Sequence, residues 1–223
     1  MRWRCVGDAL AVRWRCVGDA LAVSWRCIGG ALEMEMVRIV LAEEDDVSRV
    51  MEIELEAFSP PWTVSSLLSE SHREDSFFAV AVRPDSSDIC IQSAEFRNPG
   101  VREERDAMPV LCPSLCSSAH IASPFGFVIL RGLVDDGELL QIAVDKRARR
   151  CGVADLLMDA AIGYALEKEL KAIFLEVRKS NDAAIALYKK HGFKSVRLRS
   201  DYYSNPLEDA VVMVRALTPV QHK

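Results

Sequence analysis

No apolar run in this 223-residue chain approaches the ~20 residues needed to span a bilayer, which argues against a membrane-spanning helix. A secretory leader is not expected either, because Arg13 and Arg15 interrupt the only candidate apolar stretch, Ala9 to Val12. Nor is there a basic excess. The formal net charge is −5, whereas a surface that coats nucleic acid needs a basic stripe. That charge gives at most a weak long-range attraction for a cationic amine. A disulfide framework is equally absent: the seven cysteines, at positions 5, 16, 27, 90, 112, 116 and 151, are odd in number, and a repeat copies three of them. Cys112 and Cys116 form half of a zinc pattern with no second ligand pair, and His120 alone does not complete it. The expectation is reduced thiols, no metal, no nucleic-acid or membrane partner, and a cytoplasmic setting.

An internal repeat opens the chain. Arg2 to Val12 recurs identically as Arg13 to Val23, then in degraded form as Ser24 to Met34. Each unit carries a glycine and one short apolar run, which disfavours a helix. It is also shorter than the ~20 residues that usually make one packed solenoid unit. Residues 1–35 are therefore expected to stand outside the fold, as a duplicated segment upstream of a start at Met34 or Met36.

From Met36 the pattern becomes that of a mixed α and β domain. Val37 to Leu41 alternates as a strand. Acidic residues 43–46 then lead into a helix through Val47, Val50, Met51 and Leu55, which Pro60 and Pro61 cannot continue. Thr63 caps a short helix through Leu67 and Leu68, and Phe77 to Val82 is a strand. Residues 83–124 have no sustained period and read as a long loop or insertion. Strands come next at 126–133 and 138–144, joined by a turn at Asp135-Asp136-Gly137. A helix runs through Val153, Leu156, Leu157, Ala160, Ala161 and Tyr164, with apolar residues at i, i+3, i+4 and i+7. Ile173 to Val177 is a strand, and Asn181 caps a helix that Gly192 closes. Two last strands cover Phe193 to Leu198 and Ala210 to Val214, connected through Asp201 to Pro206. Residues 218–223 are a tail.

The segment from Ile142 to Asp155 joins a strand, a basic loop, a glycine and an amphipathic helix. Unpaired N–H groups and the macrodipole make a helix N-terminus a natural phosphate site. Gly152 permits close backbone approach, Ala154 keeps the first turn uncrowded, and Arg149 and Arg150 add charge. The loop lacks the ending of a Walker motif and the three glycines of a dinucleotide fold. By itself this pattern says only that a phosphate could bind.

Arg149-x-x-Gly152-x-Ala154 resembles the Q/R-x-x-G-x-G/A cofactor signature of the GNAT acetyltransferase superfamily. Leu175 to Tyr188 is similar to the ribosomal-protein-alanine N-acetyltransferase branch, as are His191-Gly192-Phe193, Asp201-Tyr202-Tyr203, Glu208-Asp209-Ala210, Ala57-Phe58 and Pro61-Trp62. The resemblance covers roughly residues 36–82 and 126–217. It implies a GNAT fold, a central mixed and mostly antiparallel sheet flanked by helices, in a domain spanning 36–217. It also implies acetyl-CoA as co-substrate, held by Ile142, Ala143, Val144, Arg149, Arg150, Cys151, Gly152, Val153, Ala154, Asp155 and Asn181.

By the same resemblance, Glu176 is the base and Tyr188 the acid. The chemistry agrees: an α-ammonium group has a reference pKa of ~7.7–8.0, so a carboxylate can remove its proton directly or through water, and burial in a strand would raise the basicity of Glu176. Against this, Glu176 shares a strand face with Arg178 and could simply pair with it. Tyr188, three residues after Ile185, also suits a core position, and Asn181 suits a plain cap. Cys151 has no paired histidine to make it a nucleophile, so direct transfer in a ternary complex is expected. The acceptor would be a protein N-terminus, that of a ribosomal protein starting with alanine, and a monomer is compatible with this. Alternatives are another peptide N-terminus, a lysine or small amine, or a catalytically weak coenzyme A-binding module. Asp155, beside the loop, departs from the branch, since an acid there would repel a pyrophosphate.

Overall fold

The computed structural model describes residues 9–13, 20–28, 31–83, 91–92, 110–111 and 123–217. Its elements, in chain order, begin with β1 (Ala9–Arg13), β2 (Ala20–Ile28), β3 (Ala31–Leu41), α1 (Val47–Ala57), α2 (Val64–Ser71) and β4 (Ser76–Val82). A two-residue pair, β5 (Ile91–Gln92) and β6 (Val110–Leu111), comes next. The remainder is β7 (Gly126–Leu133), β8 (Asp136–Val144), α3 (Val153–Glu167), β9 (Ala172–Arg178), α4 (Asp182–Lys190), β10 (Lys194–Ser204) and β11 (Leu207–Ala216). Nine strands make one sheet in the order β1-β2-β3-β4-β7-β8-β9-β11-β10. All neighbours are antiparallel except β8 and β9.

Helices cover both faces of this sheet, which is why its central strands read as continuous apolar runs. Residues alternate between the two sides. Phe78, Val80, Val82, Phe127 and Ile129 pack with Val47, Val50 and Ile53 of α1 and Leu67 of α2. Ala79, Ala81, Val128 and Leu130 pack with Leu156, Leu157, Met158 and Ala161 of α3. Small residues on the α3 side let the helix lie close. A Cβ added at Gly126 would stand 3.1 Å from the Ala143 carbonyl oxygen and 3.2 Å from Leu157 Cδ1.

Local chemistry sets the ends as expected. Thr63 Oγ1 accepts from Ser66 N at 3.2 Å, and Asn181 Oδ1 accepts from Ala184 N at 3.1 Å. Gly192 closes α4 at φ +82°.

Four expectations change. The repeat, expected to lie outside the fold, contributes backbone strands at 9–13 and 20–28, and β3 begins at Ala31, inside its degraded third copy. The β7–β8 turn is Val134-Asp135, one residue earlier than expected, because Gly132 pairs with Gly137 and Leu133 with Asp136. Gly137 belongs in the strand, where a Cβ would meet Leu170 Cδ1 at 3.1 Å. Asp201 to Tyr203, expected in a connector, extend β10 across a register shift, with Asp201 at φ +53°. Leu55 of the α1 stripe is 61% exposed. Apart from the short β5–β6 pair and its end residues, the 83–124 insertion, with Cys112, Cys116 and His120, lies outside the described residues, as does the 218–223 tail.

Two features of β8 open a gap between it and β9. Ile129 pairs with Gln141 and Leu130 with Leu139, so Leu140 is an extra residue that bends the strand. The parallel ladder to β9 then holds only at Asp136↔Ala172, Gly137↔Ile173 and Glu138↔Phe174. Beyond it the two strands part.

Fully buried Leu157 and exposed Leu55 separate core from surface. Leu157→Ala should cost about 2–5 kcal/mol in urea denaturation. Leu55→Ala should change stability by no more than about 0.5 kcal/mol.

Candidate active site

Past Glu138 the backbone of β8 is paired on its β7 side, through Val128↔Ile142, Phe127↔Ala143 and Gly126↔Val144, and among the described residues it has no ladder partner toward β9. Strand groups left unpaired on one edge can bind an extended amide-bearing chain. Val144 then leads through a 3-10 turn at Lys146–Ala148 into the loop before α3. Asp145 accepts from Arg147 N at 2.8 Å and pairs with Arg49 and Arg147. Hydrogen bonds from Arg147, then the Arg49 guanidinium, hold its carboxyl far below the usual carboxylate range against the opposing effect of burial.

The loop itself turns through two left-handed residues, Arg150 at φ +65° and Gly152 at φ +79°. Only glycine adopts that conformation freely, and a Cβ at Gly152 would meet nothing within 4 Å. Gly152 is the N-cap of α3, and the first intrahelical bond runs from Leu156 N to Gly152 O at 3.2 Å. The N–H groups of Val153, Ala154 and Asp155 precede that bond and lie in the first turn, where backbone donors have no intrahelical acceptor. Backbone donors without an intrahelical partner thus cluster at the residues for which an anion site was expected.

The side chains divide their work differently from the expectation. Arg149 Nε donates to the Val144 carbonyl at 3.0 Å, tying the loop to the end of β8. Cys151 Sγ donates to Arg149 O at 3.4 Å. Val153 is core, and the side chains of Ala143 and Val144 are buried too, so these three offer backbone rather than side chain to a ligand.

Asp155 turns away from the loop toward α4. Its Oδ1 lies 2.7 Å from Lys190 Nζ and 2.9 Å from His191 Nε2. Burial disfavours its ionisation, but hydrogen bonds from Lys190 and His191 outweigh this and hold the carboxyl below its ordinary value. His191, with a side chain only 6% exposed, also faces Asp159 at 3.2 Å. Burial disfavours its cation, and the hydrogen bonds with Asp159 and Asp155 reverse that, raising it above the usual histidine value. The negative charge of Asp155 is therefore compensated within the α3–α4 contact, which removes the objection to a pyrophosphate beside it.

Glu176 lies on β9 two residues beyond the last ladder pair, where the strands have parted. Phe174, Glu176 and Arg178 alternate with buried Ile173, Leu175 and Val177. The ion pair is not with Arg178: Arg199 Nη1 lies 2.7 Å from Glu176 Oε1, and the Glu176 side chain is 22% exposed. Arg178 pairs instead with Glu208 at 3.1 Å. Tyr188 approaches from the opposite face of β9, packed with Leu175, Val177 and Phe193. Burial, with Tyr203 adding to it, pushes its hydroxyl well above the ordinary tyrosine value.

Sequence reasoning named Tyr202 and Tyr203 only as part of the resemblance, without a contact, and missed Glu54. Tyr203 stacks on Arg178, ring centroid to Cζ 4.2 Å, and burial pushes its hydroxyl up to about 12. Tyr202 stands 4.6 Å from Arg199 Cζ. Glu54 of α1 is fully buried, and its Oε1 accepts from Trp62 N and Gln141 Nε2, both at 2.8 Å. Burial raises its carboxyl above the ordinary value, with the two hydrogen bonds opposing. Its place at i+7 from Val47 and i+4 from Val50, in the phase of the apolar stripe, was the available signal. Among the described residues, no group of three or more His, Cys, Asp or Glu could hold a metal ion.

Comparison with known proteins bears on the same region. Residues 92–193 match the acetyltransferase (GNAT) family. A Haemophilus influenzae protein named [ribosomal protein bS18]-alanine N-acetyltransferase is 40% identical over 91 residues, 40% of this chain and 62% of that one. A Haemophilus ducreyi protein of the same name is 27% identical over 173 residues, covering 76% and 93%. The crystal structure of the Escherichia coli ribosomal-protein-S18-alanine N-acetyltransferase superposes with TM-score 0.58 at 24% identity, covering 84% of this chain and 99% of that one.

The ion pairs of His191 give stability a pH dependence. A histidine whose folded value is raised stabilises fully below its unfolded pKa of ~6.5, and that contribution is lost as pH rises through the folded value. Thermal melts should therefore show a stability component declining above about pH 6.5, and His191→Gln should abolish that decline. Parallel pH profiles for the two proteins would contradict it. The opened β8–β9 edge, the glycine-capped helix and the mixed sheet lie in and around residues 92–193, the part of the chain that matches the acetyltransferase (GNAT) family.

Proposed function

We propose that this chain transfers the acetyl group of acetyl-CoA to the α-amine of a protein N-terminus, that of a ribosomal protein beginning with alanine. The observation that carries the reading is the parting of β8 and β9 beyond Glu138↔Phe174, which leads to the α3 N-terminus on one side and to Glu176 on the other. The acceptor class comes from the names of the two Haemophilus relatives. Every residue given a role here lies within residues 36–217, while the sheet also takes in β1, β2 and the start of β3.

Acetyl-CoA supplies an acyl group already activated as a thioester. The N–H groups of Val153, Ala154 and Asp155 would hold its phosphates, with Arg150 and Cys151 in the loop around them and Arg149 fixing that loop to β8. The β9-facing backbone of Ile142 to Val144, apart from the Val144 carbonyl that Arg149 holds, would take the pantetheine amides and polarise the thioester carbonyl, a type of donor worth ~2.7–4 kcal/mol of barrier in other enzymes. Asn181, which caps α4, would flank the cofactor.

Glu176 accepts a proton from the amine, directly or through water, and the nitrogen forms its bond to the acyl carbon as the carbon–sulfur bond breaks. The incoming amine competes with Arg199 for the carboxylate, so Arg199 yields as the acceptor seats. Tyr188 presents its hydroxyl to the departing sulfur. Because burial makes it a weaker acid than a free tyrosine, it is always in the donor form, and its main role is hydrogen bonding to the developing thiolate.

The full chain incubated with acetyl-CoA and peptides presenting Ala, Ser or Lys amines tests this. Modification of the Ala α-amine is the expected result, and coenzyme A binding without turnover would support a binding module instead. Glu176→Gln and Tyr188→Phe should each lower kcat by about 10²-fold or more while leaving acetyl-CoA affinity nearly unchanged. Wild-type rates in either variant would remove that residue from the mechanism.

A further inference from the structure

The guanidinium of Arg178 gathers more partners than an ion pair requires. Nη2 donates to Ser59 O at 3.0 Å and to Asn205 O at 2.8 Å. Nη1 donates to Pro206 O at 3.1 Å and to Glu208 Oε2 at 3.1 Å. Tyr203 covers its face, and the other oxygen of Glu208 accepts from Ser180 N at 2.7 Å. Three chain segments thus meet on one side chain: the α1–α2 connection, the β10–β11 turn and the end of β9. Ser59 is 119 residues away in sequence. Pro60, Pro61 and Pro206 have no N–H to offer, so carbonyls in these segments need donors from elsewhere. A planar fork with five N–H groups can serve several carbonyls at once, which a lysine ammonium does less well.

Arg178 follows Glu176 two residues on along the same face of β9, so both segments are fastened next along the strand from Glu176. The α1–α2 connection is held to the interior through Trp62 N and Glu54, while β10 supplies Arg199 to Glu176 and Tyr202 to Arg199. The cofactor loop at 149–155 lies on the other route out of the β8–β9 opening.

We propose that Arg178 is a positioning residue that locks the α1–α2 connection and the β10–β11 turn into one rigid frame around the acceptor amine. The proposal rests on the acetyl-transfer reading for what enters the frame, though not for the frame itself. Ordering both loops during folding spares the acceptor from ordering them when it binds. Loss of Arg178 therefore weakens acceptor seating and leaves the cofactor site alone.

Arg178→Ala and Arg178→Lys test this in the full chain, with thermal melts to establish folding; if the alanine variant fails to fold, the lysine variant carries the test. Peptide KM should rise about tenfold or more, as a small misplacement of a reacting group suffices for such losses, while acetyl-CoA KM stays within about twofold. Amide hydrogen exchange at Trp62, Thr63, Tyr203 and Leu207 should quicken, while that at Ile142 and Leu175 should not change. Quickened exchange with no peptide acetylated by any form, wild type included, would uphold the frame and overturn the acetyl-transfer reading. Unchanged loop exchange, or an unchanged peptide KM in an active variant, would overturn the proposal.

Discussion

The site depends on one break in a hydrogen-bond ladder. Among the described strands of the sheet, β8 and β9 are the only parallel neighbours, and they pair for three residues before separating. An extra residue at Leu140, inserted against β7, bends β8 at the level where the separation begins. A sheet paired throughout would present no free backbone in its middle. Here the gap opens onto the first turn of α3, so an edge of strand amides and a cluster of helix N–H groups lie along one path.

The two faces of the sheet give that path its two kinds of chemistry. α3 and α4 pack on one side and deliver Tyr188 in an apolar setting, where its hydroxyl stays protonated. On the other side Glu176 remains partly exposed and ion-paired, and Glu54 is sealed beneath the α1–α2 connection. Charge is compensated locally rather than by the protein as a whole. The cluster of Asp155, Asp159, Lys190 and His191 neutralises an acid beside the α3 N-terminus, and Asp145 is held by Arg49 and Arg147 at the loop's other end. In the chain's net charge of −5 neither arrangement is visible.

What could be read from the sequence depends on the range of the interactions. Periodicity located α1, α3, β4, β7 and β9, and cap chemistry located Thr63, Asn181 and Gly192, because those signals act within a turn or two. Arg149 to Ala154 could be recognised for the same reason, strand, loop and helix being contiguous. The Val134-Asp135 turn was misplaced because the two glycines that pair across the hairpin, Gly132 and Gly137, set its register from outside it. β10 was expected to end at Leu198 because a strand that shifts register loses the period of two. The ion pair of Glu176 with Arg199 and the gathering of loops on Arg178 join residues far apart in the chain, which no local pattern encodes. Strand pairing in the repeat was not legible either, since a glycine in each short unit obscured the alternation.

If the parted strands and the α3 N-terminus form the cofactor path, coenzyme A should mark it directly. Amide hydrogen exchange of the full chain, with and without saturating coenzyme A, is the most direct test. Protection is expected at Ile142, Ala143 and Val144 together with Val153, Ala154 and Asp155, with little change in the antiparallel β3–β4 ladder. Protection confined to other segments, or none while coenzyme A is bound, would contradict it.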